Sequence, residues 1–349
     1  MLWINLILLA SICFSSELPR LLTKHSADNL RFVSSDGEFI YIMKKSGVLG
    51  MVNNFNTYDV AIDQEGTNFL VSGSRFKNRL IIESVPRLNR ELNVNKLHNI
   101  SVIGRGKIQL TNIGEGITPK LHLNDEWISY YIPSQKKIVI QNVLTQKKHF
   151  IQLAIKTNLF FRPAVEMIND QAVLFTDLSE QNNITLQQYN LSTKKNIIIY
   201  RSSQNATRME ICSNKDYLAF GEFPFDQVQR SSQILFIQLS KTSNLAGYET
   251  FYKSENPDIG HMICLKDKIY FIKTINFQKK INYKTTEVAK INLKNKNIEI
   301  ISQLRNVSRL IEMDDRILIP FRGEYFVVEG EHNFGEDKLK EVAREKEAL

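Results

Sequence analysis

Residues 121–132 read LHLNDEWISYYI. Apolar and polar positions alternate on both sides of Asn124-Asp125, with the period of two that a strand shows, and the Asn-Asp pair supplies a reversal. The phrase predicts a β-hairpin. It returns in other letters as EMINDQAVLF at 166–175, MEICSNKDYLAF at 209–220, HMICLKDKIYFI at 261–272 and IEMDDRILIPF at 311–321. Behind the first four copies come two further apolar runs around a polar turn: KKIVIQNVLTQKKHFIQL (136–153), ITLQQYNLSTKKNIIIY (184–200), ILFIQLSKTSNLAGYETFY (234–252) and VAKINLKNKNIEIIS (288–302). Each unit is therefore a meander of four strands. LRFVSSDGEFIYIM at 30–43 and NFLVSGSRFKNRLIIES at 68–84 extend the pattern toward the N-terminus, residues 85–107 carry it poorly, and helix-period stripes are absent from the repeats.

Unit starts fall near Leu30, Asn68, Thr118, Pro163, Thr207, Ile259 and Val307, at intervals of about 40 to 50 residues, the period of blade-type repeats. The expected fold is all-β: a seven-bladed β-propeller of four-stranded antiparallel blades, with six or eight blades left open by the weakly patterned segment. The last unit, LIEMDDRILIPFRGEYFVVEG, has room for only three strands, and ELPRLLT at 17–23 is a short apolar segment suited to supply the fourth. Such a pairing would close the ring and give every blade two packed neighbours.

The repeated hairpins with Asn or Asp at the turn, the apolar N-terminal segment and the Pro-Arg-Leu-Leu-Thr entry at 19–23 resemble the TolB-like bacterial periplasmic β-propellers over roughly residues 17–330. The chain departs from that pattern in showing no α/β segment ahead of the repeats and in lacking the Asp-rich strand phrase of TolB blades. The resemblance implies a periplasmic scaffold, and it suggests a peptidoglycan-associated lipoprotein as the kind of partner.

The ends and the composition add to this picture. MLWINLILLASICFSS at 1–16 has an apolar run from Leu6 to Phe14, no acidic residue, and Ser15-Ser16 before Glu17, the layout of a signal peptide, although Lys and Arg are missing ahead of the run. The alternatives are an uncleaved anchor and a lipid attached at Cys13, where Ile12 stands in place of the usual small residue. The expected organisation is a signal at 1–16, a propeller at 17–330, and a charged helical or disordered tail at 331–349, acting in the periplasm or as a secreted protein. Cys212 and Cys264 then remain, at matching places in their repeats, and are expected as two small buried apolar residues rather than a bridge. The net charge of +8 is spread over lysine pairs at predicted turns and edges, as edge protection alone would require. A basic surface could also favour anionic glycans, lipids or nucleic acid, with no nucleic-acid signature to sharpen that reading; after removal of the signal the chain is expected to be peripheral at most to a membrane, and monomeric.

Chemistry is sparse. There is no Gly-x-Ser-x-Gly elbow, no His-Glu-x-x-His or Cys-x-x-Cys arrangement and no phosphate-cradling glycine loop, and the six histidines are scattered. No metal or cofactor and no catalytic residue is assigned. The innermost strand of each blade would aim alternate residues at the axial channel, where Lys120, His122, Glu166, Arg208, Glu210, His261, Arg309 and Glu312 are the polar candidates. They would either hold a polar ligand or form a hydrated, mutually neutralised lining. Trp127, Tyr130, Tyr131, Tyr217, Phe220, Tyr270 and Phe271 read as packing between blades, whereas Phe223 and Phe225, around a proline ahead of QVQRSS, form a candidate contact loop on a rim. Sequons at Asn99, Asn183, Asn190, Asn205 and Asn306 matter only in a glycosylating host. The leading expectation is a non-enzymatic propeller that binds a protein or cell-envelope component through loops. The alternative is an envelope glycan hydrolase or lyase with Glu166 and Glu210 as acid and base, and a structural spacer is the third possibility.

Overall fold

The structure is a computed structural model. It describes strand backbone between Arg20 and Gly335, and side chains chiefly within 97–155, 161–178, 183–202, 209–222, 261–273 and 286–304. Successive strands pair as antiparallel meanders, as the alternation of apolar residues requires. The order begins with β1 (Arg20–Thr23) and a four-stranded sheet of β2 (Leu30–Val33), β3 (Ile40–Met43), β4 (Leu49–Asn53) and β5 (Asn56–Val60). A seven-stranded sheet follows: β6 (Thr67–Gly73), β7 (Arg79–Pro86), β8 (His98–Gly104), β9 (Leu110–His122), β10 (Trp127–Ile132), β11 (Lys137–Asn142) and β12 (Lys148–Gln152). Next come two four-stranded sheets, β13 (Val165–Asn169), β14 (Ala172–Leu178), β15 (Asn183–Asn190) and β16 (Asn196–Asn205), then β17 (Thr207–Ser213), β18 (Tyr217–Pro224), β19 (Ser232–Gln238) and β20 (Glu249–Ser254).

β21 (Ile259–Leu265), β22 (Lys268–Gln278), β23 (Tyr283–Asn292) and β24 (Ile298–Arg305) form the following sheet. The last consists of β25 (Ile311–Met313), β26 (Arg316–Phe321) and β27 (Glu324–Val328), completed by β1. Leu21 lies opposite Phe326 and Arg20 opposite Val327 in that antiparallel pair, so the N-terminal strand supplies the missing edge. Among the described residues no helix is long and apolar enough to cross a membrane.

Packing between sheets explains the aromatic positions. Ile117, Tyr131, Ile138, Ile151, Val173, Phe175, Leu186, Leu218 and Phe220 belong to one buried cluster that runs across three sheets. Tyr217, Ala219, Met262, Ile269 and Phe271 join β18 to β21 and β22. Trp127 and Tyr270 are partly buried against these layers. In each second strand one face therefore looks at the preceding sheet and the other at the following one.

That rule corrects the expectation for the cysteines. Cys212 and Cys264 form a disulfide with their Cα atoms 5.5 Å apart. In letters the two are equivalent, each five residues ahead of YLAF or IYFI. In register they are not: Cys212 lies opposite Ala219, Cys264 opposite Ile269, and the β17–β18 turn is longer than the two-residue turn between Leu265 and Lys268. Ala219 faces forward and Ile269 faces back, both within the same buried cluster. A one-residue offset flips a side chain to the other face of its strand, and here it aims the two sulfurs at each other.

The tail also differs from expectation. Phe334–Gly335 (β28) is extended and pairs in parallel with β24, Ser302 opposite Phe334 and Gln303 opposite Gly335, so this part of 331–349 covers a sheet edge and is not helical. The remainder of the tail and the proposed signal at 1–16 lie outside the described residues.

A recurring turn closes three of the outer hairpins. Asn142, Asn190 and Asn292 end the third strand, and their side-chain oxygens accept the amides of Leu144 and Thr145, of Ser192 and Thr193, and of Lys294, at 2.8–3.0 Å. The fifth residue of each turn, Gln146, Lys194 or Lys296, takes left-handed backbone with φ 60, 56 and 59°. The following residue after each Asn, Val143, Leu191 or Leu293, donates its amide to Glu126, Gln171 or Asp267 in the first hairpin of the same unit.

Candidate functional site

The first strands of the units, the second half of β9, then β13, β17, β21 and β25, lie nearest the turn of one sheet into the next. Four of the sequence-predicted polar residues on them, Lys120, Glu166, Glu210 and His261, are bonded to groups of a neighbouring unit. Lys120 on β9 forms an ion pair with Glu166 on β13. Glu166 also accepts a hydrogen bond from Ser213 Oγ on β17, at 2.8 Å. Glu210, on β17, accepts the Met262 amide of β21 at 3.1 Å, and His261 Nδ1 on β21 accepts the Leu310 amide just ahead of β25 at 3.5 Å. His261 reaches this position at a bulge, with φ 52°. Arg208 and Glu312 are placed on β17 and β25 by their backbones alone; Arg309 and the contact-loop residue Phe225 lie outside the described residues, and Phe223 ends in β18 with its side chain undescribed.

His122 departs from a channel-lining role. It is 2% exposed, and its Nε2 is 2.8 Å from Ser129 Oγ on the neighbouring strand. Nδ1 has no hydrogen-bond partner. Burial drives its pKa down to about 3, with the Lys120 charge acting in the same direction and Glu166 opposing both. His122 is therefore neutral at any physiological pH. The separation of Ser129 and His122 suits a nucleophile and its base, but Ser129 is 1% exposed. A substrate carbonyl has no access to that hydroxyl.

Electrostatics also bear on the carboxylates. For Glu166 burial acts to raise the pKa, but the Lys120 and His122 interactions and the hydrogen bonds from Lys120 and Ser213 together bring it below its ordinary value. A carboxylate held ionised in this way is poorly suited to donate a proton as a general acid. Two further acids that the alternation pattern did not single out are buried at the matching place in consecutive second strands. Asp177 accepts the amides of Ala154 at 2.8 Å and Leu178 at 2.7 Å. Glu222, 0% exposed, accepts Tyr200 Oη at 2.8 Å and is also bonded by Ser202. Both tie a second strand to the outer part of the preceding unit. The signal for them in the sequence is an acid at the sixth position of the phrases AVLFTD and YLAFGE. Among the described residues no group of three His, Cys, Asp or Glu could hold a metal ion.

No protein-family model matches the chain, and no curated protein matches it. Solved structures do. The tricorn protease matches with a TM-score of 0.58 at 10% identity, over 90% of this chain and 35% of that one. U3-55K matches with a TM-score of 0.54 at 9% identity, over 90% of this chain and 98% of that one. TolB from Acinetobacter baumannii is also among the similar structures, with a TM-score of 0.47 at 13% identity over 75% of this chain and 66% of that one. The chain thus spans about a third of the length of the tricorn protease and just under two thirds of that TolB chain. What the likenesses to the tricorn protease and U3-55K establish is the fold alone: the chain is an all-β, propeller-type protein.

Proposed function

We propose that this protein is a non-enzymatic, seven-bladed propeller that binds a protein or cell-envelope component through loops on one rim, outside the cytoplasm. The count of seven is supported by β9, whose thirteen residues serve two four-stranded units, one on either side, within the seven-stranded sheet. The observation that carries the functional reading is the engagement of the inner-strand polar residues. Glu166 is tied to Lys120 and Ser213, Glu210 to the Met262 amide, and His261 to the Leu310 amide. Polar groups that serve as sheet-to-sheet links are scaffold, so recognition falls to the loops. The Cys212–Cys264 bridge supports an oxidising compartment, in agreement with the apolar segment at the N-terminus.

The test is capture of partners from an envelope extract, with the chain compared against a variant carrying Phe223→Ala and Phe225→Ala. A specific partner retained by the first and lost by the second is the expected result. A partner retained equally by both would move the contact away from this loop, and turnover of envelope glycan abolished by Glu166→Gln would replace the binding reading with a catalytic one.

A further inference from the structure

Among the described residues the large exposed apolar side chains lie on the outermost strands and the turns that lead into them, with Ile298 and Ile300 of β24 the least exposed, at 45% and 39%. Phe150 on β12 is 54% exposed, Ile197 and Ile198 on β16 are 52% exposed each, and Leu144, in the turn that leads into β12, is 67% exposed. Phe150 and Ile198 occupy the same structural position, eight residues after the turn-closing Asn142 and Asn190. Their turns are held rigidly, since the Val143 and Leu191 amides bond back to Glu126 and Gln171 and both side chains are buried. Two neighbouring sheets therefore present apolar groups from the same edge of the molecule. Large side chains left in water at a fixed, repeated position mark an interaction surface.

The same two turns carry lysines without counter-charges. Lys147, Lys148, Lys194 and Lys195 are exposed, and none forms an ion pair among the described residues. The equivalent turn between β23 and β24 is different: Lys294 is 3.5 Å from Asp267, and Lys296 is 2.6 Å from Glu249. Lys147 and Lys194 come from different sheets yet both act on the ring of His149, so their fields overlap at one place. Uncompensated positive charge beside exposed Leu, Phe and Ile is the chemistry of interfacial contact with anionic lipid, in which apolar groups enter the acyl boundary while ammonium groups stay at the headgroups.

We propose that the outer edge formed by the turns and first outer-strand residues of β12 and β16 docks on an anionic lipid surface, through Leu144, Phe150, Ile197 and Ile198 with Lys147, Lys148, Lys194 and Lys195. This surface is built on β12 and β16, each the last strand of its sheet, and the proposal does not depend on the partner assigned to Phe223 and Phe225.

The experiment is co-sedimentation of the full chain with vesicles of phosphatidylcholine alone and of phosphatidylcholine mixed with phosphatidylglycerol, at low and physiological salt. Residues 1–16 contain no charged side chain, so any insertion by them contributes alike to both vesicles, and the difference between vesicles reports the basic edge. Stronger binding to the anionic vesicles, weakened by salt, is expected. Lys147→Glu with Lys194→Glu should reduce that binding by about tenfold or more, since each lysine near such a surface contributes on the order of 1 kcal/mol. Phe150→Ser with Ile198→Ser should also reduce it. Lys294→Glu with Lys296→Glu, on the compensated turn, should leave it unchanged. Circular dichroism confirms that each variant is folded. Equal binding of the unaltered chain to both vesicles overturns the proposal, as does anionic binding that survives the Lys147 and Lys194 reversals. Loss with the apolar variants alone is that second case, and it overturns the role given to the lysines.

Discussion

His122 is a neutral imidazole enclosed between inner strands, and its consequence is a pH dependence of stability. The folded value, near 3, lies below the 6.5 of an exposed histidine because burial penalises the charged ring. Between those values the unfolded chain binds a proton that the folded chain refuses, so the contribution is complete above pH 6.5 and is lost progressively as pH falls toward 3. Its full width corresponds to about 5 kcal/mol. Glu166, held below its ordinary value, acts in the same direction at lower pH, whereas Asp177 and Glu83, both raised by burial, act in the opposite one. Urea unfolding followed from pH 7 to pH 4 should therefore show a stability loss that His122→Gln flattens; parallel curves for the two proteins would count against this account. Packing supplies a second prediction at this scale. A Cβ on Gly116 would stand 2.5 Å from Tyr130 Cδ2 and 3.0 Å from the Tyr131 carbonyl oxygen, so Gly116→Ala should destabilise by about 1–3 kcal/mol, measured by denaturant midpoint.

Elements are fixed by their turns, and the repeated Asn turn is where that can be measured. Asn190 caps two amides that no strand partner reaches, and Asn190→Ala should cost about 1 kcal/mol. Four residues beyond Asn190, Lys194 sits at φ 56°, where glycine is relieved of the Cβ penalty; Lys194→Gly should be neutral or slightly stabilising, in contrast to glycine placed within a strand. The disulfide acts between elements. It joins β17 to β21 across 52 residues of chain, and reduction, or Cys212→Ser with Cys264→Ser, should lower stability by about 2–4 kcal/mol. Thiol labelling before and after reduction, read by mass, checks that the bond is present: reduction should add two labels, and no gain on reduction would sink it.

At the scale of the whole molecule, β1 joins residues near the two ends of the chain by pairing with β27. Removal of residues 17–23 leaves the last sheet with an open edge and one unit without its outer strand, and the thermal midpoint should fall; an unchanged melting curve would show that the pairing contributes nothing to closure. The hairpins, the polar turns, the four-strand period and this N-terminal pairing are all legible along the chain, because a strand with one buried face writes an alternation into its own letters and a turn writes Asn, Asp, Lys or Gly between them. So is the burial of Tyr130, Tyr131, Phe220 and Phe271, since bulk at the middle of a second strand has only neighbouring sheets to pack against. Side-chain pairing between units is not legible. Glu166 with Lys120, Glu222 with Tyr200, and Cys212 with Cys264 join residues 46, 22 and 52 positions apart. Whether they meet depends on the face each side chain takes, which one residue of register reverses. The sequence by itself determined which segments are strands and that they repeat. Only the tertiary structure decided which polar residues link sheets, which sulfurs bond, and which apolar side chains remain on the outer edge, because those outcomes follow from how one twisted sheet is set against the next.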